Sequence, residues 1–189
     1  MAVGIGCIFG GDTARSKPTV PVLTVCEALN SLGQHNGKLV IVVGKLVGTD
    51  EGSWLREDCD EKIVTDTYTW AHIISLSYLR SEVEPPPRVP RDFNWNRPLL
   101  IKKLNQVRRT TRLQILKQDN YTDRWFAVFG RFEVRLPLQV ALGGGGKLFG
   151  SGFGHLNAAP AQLVSADDGY RELKPKSEDS DLHLQPHPY

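Results

Sequence analysis

The residues ALGGGGKLFGSGFGH, from Ala141 to His155, place one lysine among seven glycines. A Walker-type phosphate cradle needs a glycine, four residues and then Gly-Lys-Ser/Thr, so that amides wrap the phosphates and a hydroxyl holds magnesium. Here Gly146-Lys147 is followed by Leu148, which has no hydroxyl, and Ala141 stands where the leading glycine belongs. The alternative fingerprint, G-x-G-x-x-G, must open a helix, and Asn157 and Pro160 arrive too early for one. The run therefore reads as a connection, with Lys147 and His155 as candidate ligand-binding residues on a lid, and not as a nucleotide cradle.

Cys26 and Cys59 carry three chemical readings. A disulfide between them would clamp the first helix onto the barrel, and closing a loop of that length contributes about 4 kcal/mol in the chain-entropy description. Inert thiols are the second reading. Metal or nucleophilic chemistry is the third, and it is disfavoured. Two cysteines fall short of the usual four zinc ligands, and Cys59 in EDCDE sits among carboxylates that raise a thiol pKa. His72 lies in an aromatic-rich segment that suits a packed or hydrogen-bonded imidazole. His183 and His187 have helical ligand spacing, but Pro186 and Pro188 disfavour a helix there. The carboxylates of Asp66 and Glu133 are not brought together by anything in the sequence. With no G-x-S-x-G or H-E-x-x-H present, the expectation is a non-enzymatic chain with no catalytic residues, no cofactor and no metal.

The elements that must position these residues follow from pattern. Thr24 and Glu27 form a T-x-x-E capping box at the start of a short helix over Val22 to Leu32, with Val25, Leu29 and Leu32 on one face. The β-branched run in KLVIVVGKLVGT (Lys38 to Thr49) predicts a central strand interrupted at Gly44. RWFAVFGRFEVR (Arg124 to Arg135) repeats the device at Gly130. Two long strands kinked at glycine suit a small coiled barrel that bends its strands to close.

Further strands are expected at Ser53 to Glu57, within Lys62 to Ser77 (Tyr68, Trp70, His72 and Ile74 on one face) and at Ala161 to Ala166. A proline-rich loop over Ser81 to Pro98 leads into a basic helix from Leu99 to Arg109, and TRLQILK leads on to the second kinked strand. This order predicts a mainly β protein with two short helices, built as an OB-fold-like five-stranded barrel. An α+β sandwich is the competitor.

The segments TVCEAL, HNGKLVIVVGKL and EGSWLREDC, with FGRFE and GFGHLNAAPAQLV near the end, resemble a group of uncharacterised bacterial proteins that are usually exported. The resemblance spans about Val22 to Val164. It implies an OB-like domain of unknown function and carries no known chemistry.

An OB barrel offers its second and third strands to single-stranded nucleic acid or sugar, and Trp54, Tyr68 and Trp70 fall near those strands as candidate ligand-binding aromatics. Six acids between Asp50 and Glu61, against Arg56 alone, oppose phosphates there. The net charge of +2 requires no polyanionic partner, and no run is long and apolar enough to span a membrane. The N-terminal MAVGIGCIFGG lacks a basic n-region, so residues 1–20 read as a flexible leader or signal remnant. Residues 21–168 are expected to form the barrel, and 169–189 a disordered tail. The functional expectation is a binding or interaction domain for an unknown ligand or protein partner in the periplasm or cell envelope. The alternative is a cytoplasmic single-stranded nucleic-acid binder.

Overall fold

The computed structural model describes residues 19–50, 52–77, 85–111, 124–154 and 157–174. Most of the expected leader, the TRLQILK segment after Thr111, His155 and most of the expected tail lie outside them.

The strand β2 (Leu39–Thr49) organises the molecule. Val40 and Val42 face one side of it and Ile41 and Val43 the other, and all four are buried in two separate apolar clusters, as expected for a central strand. One edge of its first half carries β1 (Val22–Thr24) in parallel, and its second half, from Lys45 to Thr49, pairs antiparallel with β3 (Gly52–Arg56). From β3 the sheet continues antiparallel to β6 (Ile73–Ser77), parallel to β10 (Ala161–Leu173) and antiparallel to β7 (Trp125–Val134). β7 then pairs with β2 over Leu39 to Lys45, which closes the ring β2-β3-β6-β10-β7. The protein is a closed five-stranded, OB-like barrel, with β1 as an added strip.

Closure brings backbones together at the two glycines. A Cβ on Gly44 would lie 2.8 Å from Val25 Cγ2 and 3.3 Å from the Arg56 carbonyl oxygen. One on Gly130 would lie 2.6 Å from the Val164 carbonyl oxygen. Both positions are in paired strands, and Gly130 borders the point where β10 bulges between Ser165 and Tyr170.

The barrel interior holds Val40, Val42, Leu55, Ile74, Phe126, Val128, Phe132 and Leu163. The plug at its end comes from the first helix. The expected helix over Val22 to Leu32 is divided into β1, α1 (Val25–Leu29) and α2 (Leu32–His35). The capping box is present: the Glu27 amide donates to Thr24 Oγ1 at 3.2 Å, and the Thr24 amide donates to Glu27 Oε2 at 2.9 Å. Val25, Ala28 and Leu29 then enter the interior. The turn ends where the Ser31 hydroxyl donates to the Glu27 carbonyl, and the helix breaks before Leu32.

α3 (Arg97–Thr111) is capped by Asn96, whose side chain accepts the Leu99 amide, and tolerates Pro98 in its first turn. Leu100, Leu104 and Val107 pack on Ile41, Val43, Trp125, Ala127 and Phe129, so α3 covers the outer face of β2 and β7. Among the described residues the α-helices number three, against two expected, and only α3 is longer than two turns.

Two further differences from expectation matter. The run Lys62 to Ser77 contains a two-residue-strand hairpin, β4 (Val64–Thr65) with β5 (Tyr68–Thr69), ahead of β6, because Asp66 adopts positive φ and turns the chain. β10 continues past residue 168 to Leu173, since Tyr170 and Leu173 pair with β7 and are buried. Exposed Asp167 and Asp168 in the bulge mask that continuation in the sequence.

Replacing Gly130 with alanine drives a methyl group into backbone, whereas at Gly44 the nearest atom is a side-chain methyl that can yield. Gly130→Ala is expected to cost about 2–3 kcal/mol and Gly44→Ala about 1 kcal/mol, read from urea midpoints. A neutral Gly130→Ala would contradict the tight seam.

Candidate functional site

The outer face of β3 and β6 is the surface an OB-like barrel offers to ligands. Leu55, Ile74 and Leu76 point inward, so Trp54 and Ser75, which are cross-strand partners, face outward with Arg56 and Ile73. This face is not bare. The chain between β7 and β10 forms a hairpin, β8 (Val140–Leu142) with β9 (Leu148–Gly150), and then crosses the face as a tight loop bridged at Phe153 and Ala159. The glycine run is the hairpin's turn: the Gly143 amide donates to the Lys147 carbonyl at 2.8 Å, and Gly145 and Gly146 take positive φ. What reads in sequence as a plain connection is an ordered element.

The later glycines permit close approach to aromatic rings. Cβ atoms on Gly150 and Gly152 would lie 2.4 and 2.8 Å from Trp70 Cζ3. A Cβ on Gly154 would lie 3.0 Å from both Trp54 Nε1 and Ser75 Oγ. Arg135 fastens the loop, with its guanidinium 4.5 Å from the Phe153 ring centroid and Nη1 donating to the Gly152 carbonyl at 2.9 Å.

The candidate aromatics therefore separate. Trp54 is half-buried beneath the loop, with part of its surface open. Trp70 is 1% exposed, donates its indole N–H to Thr65 Oγ1 at 3.0 Å and meets Tyr68 edge-on at 5.1 Å. Its ring is enclosed by the cover loop, which leaves no face for a stacked base. Lys147 is exposed at the hairpin turn, away from the phosphate geometry that a cradle requires. Leu142 (73% exposed) and Phe149 (42% exposed) give the hairpin an apolar surface. Glu133 is held by Arg131 at 2.9 Å and Gln162 at 2.6 Å, while Asp66 occupies the β4–β5 turn.

Just past the end of β3, Cys26 and Cys59 form a disulfide with Cα atoms 5.5 Å apart, tying α1 to the segment after β3. Beside it lies Glu57, 1% exposed, which the sequence shows only as one acid among several. Its Oε2 accepts the Cys26 amide at 2.8 Å and its Oε1 the Thr110 hydroxyl at 3.1 Å, so one carboxyl joins α1, α3 and β3. Burial pushes the Glu57 pKa up, against the Cys26 amide and the Thr24 and Thr110 hydroxyls, and neighbouring Glu27 adds to the rise. Burial also opposes ionisation of Glu27, but the Lys103 ammonium and the Thr24 amide outweigh it and hold its pKa below the ordinary value.

One Glu57 oxygen and the two sulfurs lie within 4.8 Å of one another. The sulfurs are bonded to each other and offer no thiolate to a soft metal ion. His72 is adjacent: its Nδ1 accepts the Cys59 amide at 3.2 Å, and its Nε2 is buried without a hydrogen-bond partner among the described residues.

Fold and site together define a disulfide-latched, OB-like β-barrel domain whose β3–β6 face is lined by its own loop. Compared with known proteins, the chain matches no protein-family model, no curated sequence and no solved structure. No described helix is long and apolar enough to cross a membrane.

Because the folded state raises the Glu57 pKa, it binds this proton more tightly than the unfolded chain. The resulting stability is complete below pH 4.5 and is lost as pH rises through the raised value. Urea midpoints of wild type and Glu57→Gln, compared at matched pH, should therefore differ by an amount that moves against wild type as pH rises above 4.5. Glu27, with the opposite dependence, is present in both proteins. A difference independent of pH would show that the carboxyl is not held as described.

Proposed function

We propose that this chain is a non-enzymatic binding or interaction domain of the bacterial cell envelope, which takes up a ligand or protein partner where the β8–β9 hairpin and cover loop meet the β3–β6 face. The observation that carries the reading is the covered face itself. The barrel's ligand surface is organised by Arg135, glycine and aromatic contacts around a half-open Trp54, and the exposed apolar residues Leu142 and Phe149 stand on the adjoining hairpin. These groups suit apolar and shape-based recognition. The ionisable groups nearby, Glu133 with Arg131 and Arg56 with Asp58, are paired to one another.

The envelope assignment is supported by the disulfide, which persists in oxidising compartments, and by the resemblance to exported bacterial proteins. The alternative, a cytoplasmic single-stranded nucleic-acid binder, draws support from Trp54 on the OB face. It is weakened by the enclosure of Trp70 and by Asp58, Asp60 and Glu61 at the end of β3.

Two measurements separate these readings. In fractionated native cells the protein should be recovered with the envelope, and recovery in the cytoplasmic fraction alone would remove the envelope reading. A fluorescent single-stranded oligothymidylate should show no anisotropy change on adding the purified protein at low salt. Tight binding that weakens with salt would instead establish the nucleic-acid alternative.

A further inference from the structure

A structural clamp needs two sulfurs, and the amide of Cys26 could be capped by any neutral acceptor. This protein instead buries a carboxyl group between the clamp, α1 and α3, and places it within 4.8 Å of both sulfur atoms. We propose that the Cys26–Cys59 disulfide is a reducible site, opened by a dithiol partner, at which Glu57 hands a proton to the departing sulfur.

The two sulfurs differ in what surrounds them. Cys59 lies on the segment after β3, followed by exposed Asp60, Glu61 and Lys62, while Cys26 sits in the first turn of α1 between buried Val25 and Ala28. A thiolate of the partner therefore attacks Cys59 Sγ. The Cys26–Cys59 bond breaks as the partner–Cys59 bond forms, and Cys26 Sγ leaves with the electron pair. It takes the proton of the Glu57 carboxyl, directly or through one water, and becomes a thiol. The partner's second thiolate then attacks its own sulfur in the mixed disulfide. Cys59 leaves, is protonated from solvent, and the partner departs as a disulfide. Two electrons pass from the dithiol to the protein, and solvent restores the Glu57 proton.

The exchange is stoichiometric, so it is compatible with a binding domain, and it does not depend on the ligand face. It would free α1, the plug of the barrel interior, from its covalent tie to the segment after β3. The acidic rim of Asp58, Asp60 and Glu61 favours a dithiol set in a neutral or basic surface over an anionic thiol.

Several charged or titratable groups surround Glu57. Glu27 of α1 is bound to Lys103 of α3. His72 precedes β6 and holds the Cys59 amide. Lys45 is buried on β2 opposite Arg56, which pairs with Asp58. A pH profile can therefore be assigned to Glu57 only by changing Glu57.

The test is reduction of the oxidised full chain by dithiothreitol across the acidic and neutral range. Thiol release is followed by mass spectrometry after acid quenching, and each rate constant is divided by the reagent's thiolate concentration. In wild type the normalised constant should be highest at acid pH and fall about a hundredfold as Glu57 ionises. In Glu57→Gln it should be flat, at the wild-type value reached on the alkaline side. A flat wild-type profile, or a step that survives in Glu57→Gln and so belongs to His72 or another group, would overturn the proposal. If the glutamine variant does not fold, Glu57→Asp, with its carboxyl drawn back from the sulfurs, should show a smaller step. An undiminished step there would also overturn it.

Discussion

The constraint on which the structure depends is that β2 has more neighbours than an ordinary strand. It bonds to β7 along one edge, and on the other to β1 over Ile41 to Val43 and to β3 from Lys45 onward. The change from one partner to the next falls around Gly44, where a side chain would meet Val25, Leu55 and the Arg56 backbone. Gly130 solves the same problem on the β7–β10 seam. Without these two close approaches the sheet would stay open, and its inner residues, from Val40 to Leu163, would need another cover.

Closure in turn fixes where chemistry can occur. A ring this small is filled by side chains, so ligands must use an outer face or an end. The outer face of β2 and β7 is taken by α3, and one end by α1. The face of β3 and β6 is left, and the chain lays its own β7–β10 segment across it. The disulfide and Glu57 stand where α1 meets the end of β3. The latch and the covered face are thus two consequences of one topology, one just past the end of β3 and the other on its outer face.

Much of this was legible in the chain. The β-branched runs broken at Gly44 and Gly130, the T-x-x-E box and the Leu100, Leu104, Val107 stripe are local signals, and each element they specify is present. The barrel order followed from them. What could not be read was long-range. Tyr68 and Trp70 alternate as strand residues do, but Asp66 turns the chain and puts them on a separate hairpin. Tyr170 and Leu173 belong to β10, though Asp167 and Asp168 look like the start of a tail. Lys147 and the glycines read as a loose loop because a hairpin turn and a lid share their composition. Glu57 is the plainest case. In sequence it is one acid in a cluster, and only the meeting of α1, α3 and β3 makes it buried and adjacent to both sulfurs.

The central claim is the closed ring, and nuclear Overhauser contacts across the strands test it most directly. Backbone contacts should appear in one sample for Val42 with Val128, Leu46 with Leu55, and Leu163 with both Leu76 and Phe132. A spectrum in which β2 contacts β3 while its contacts to β7 are missing would describe an open sheet and contradict the account.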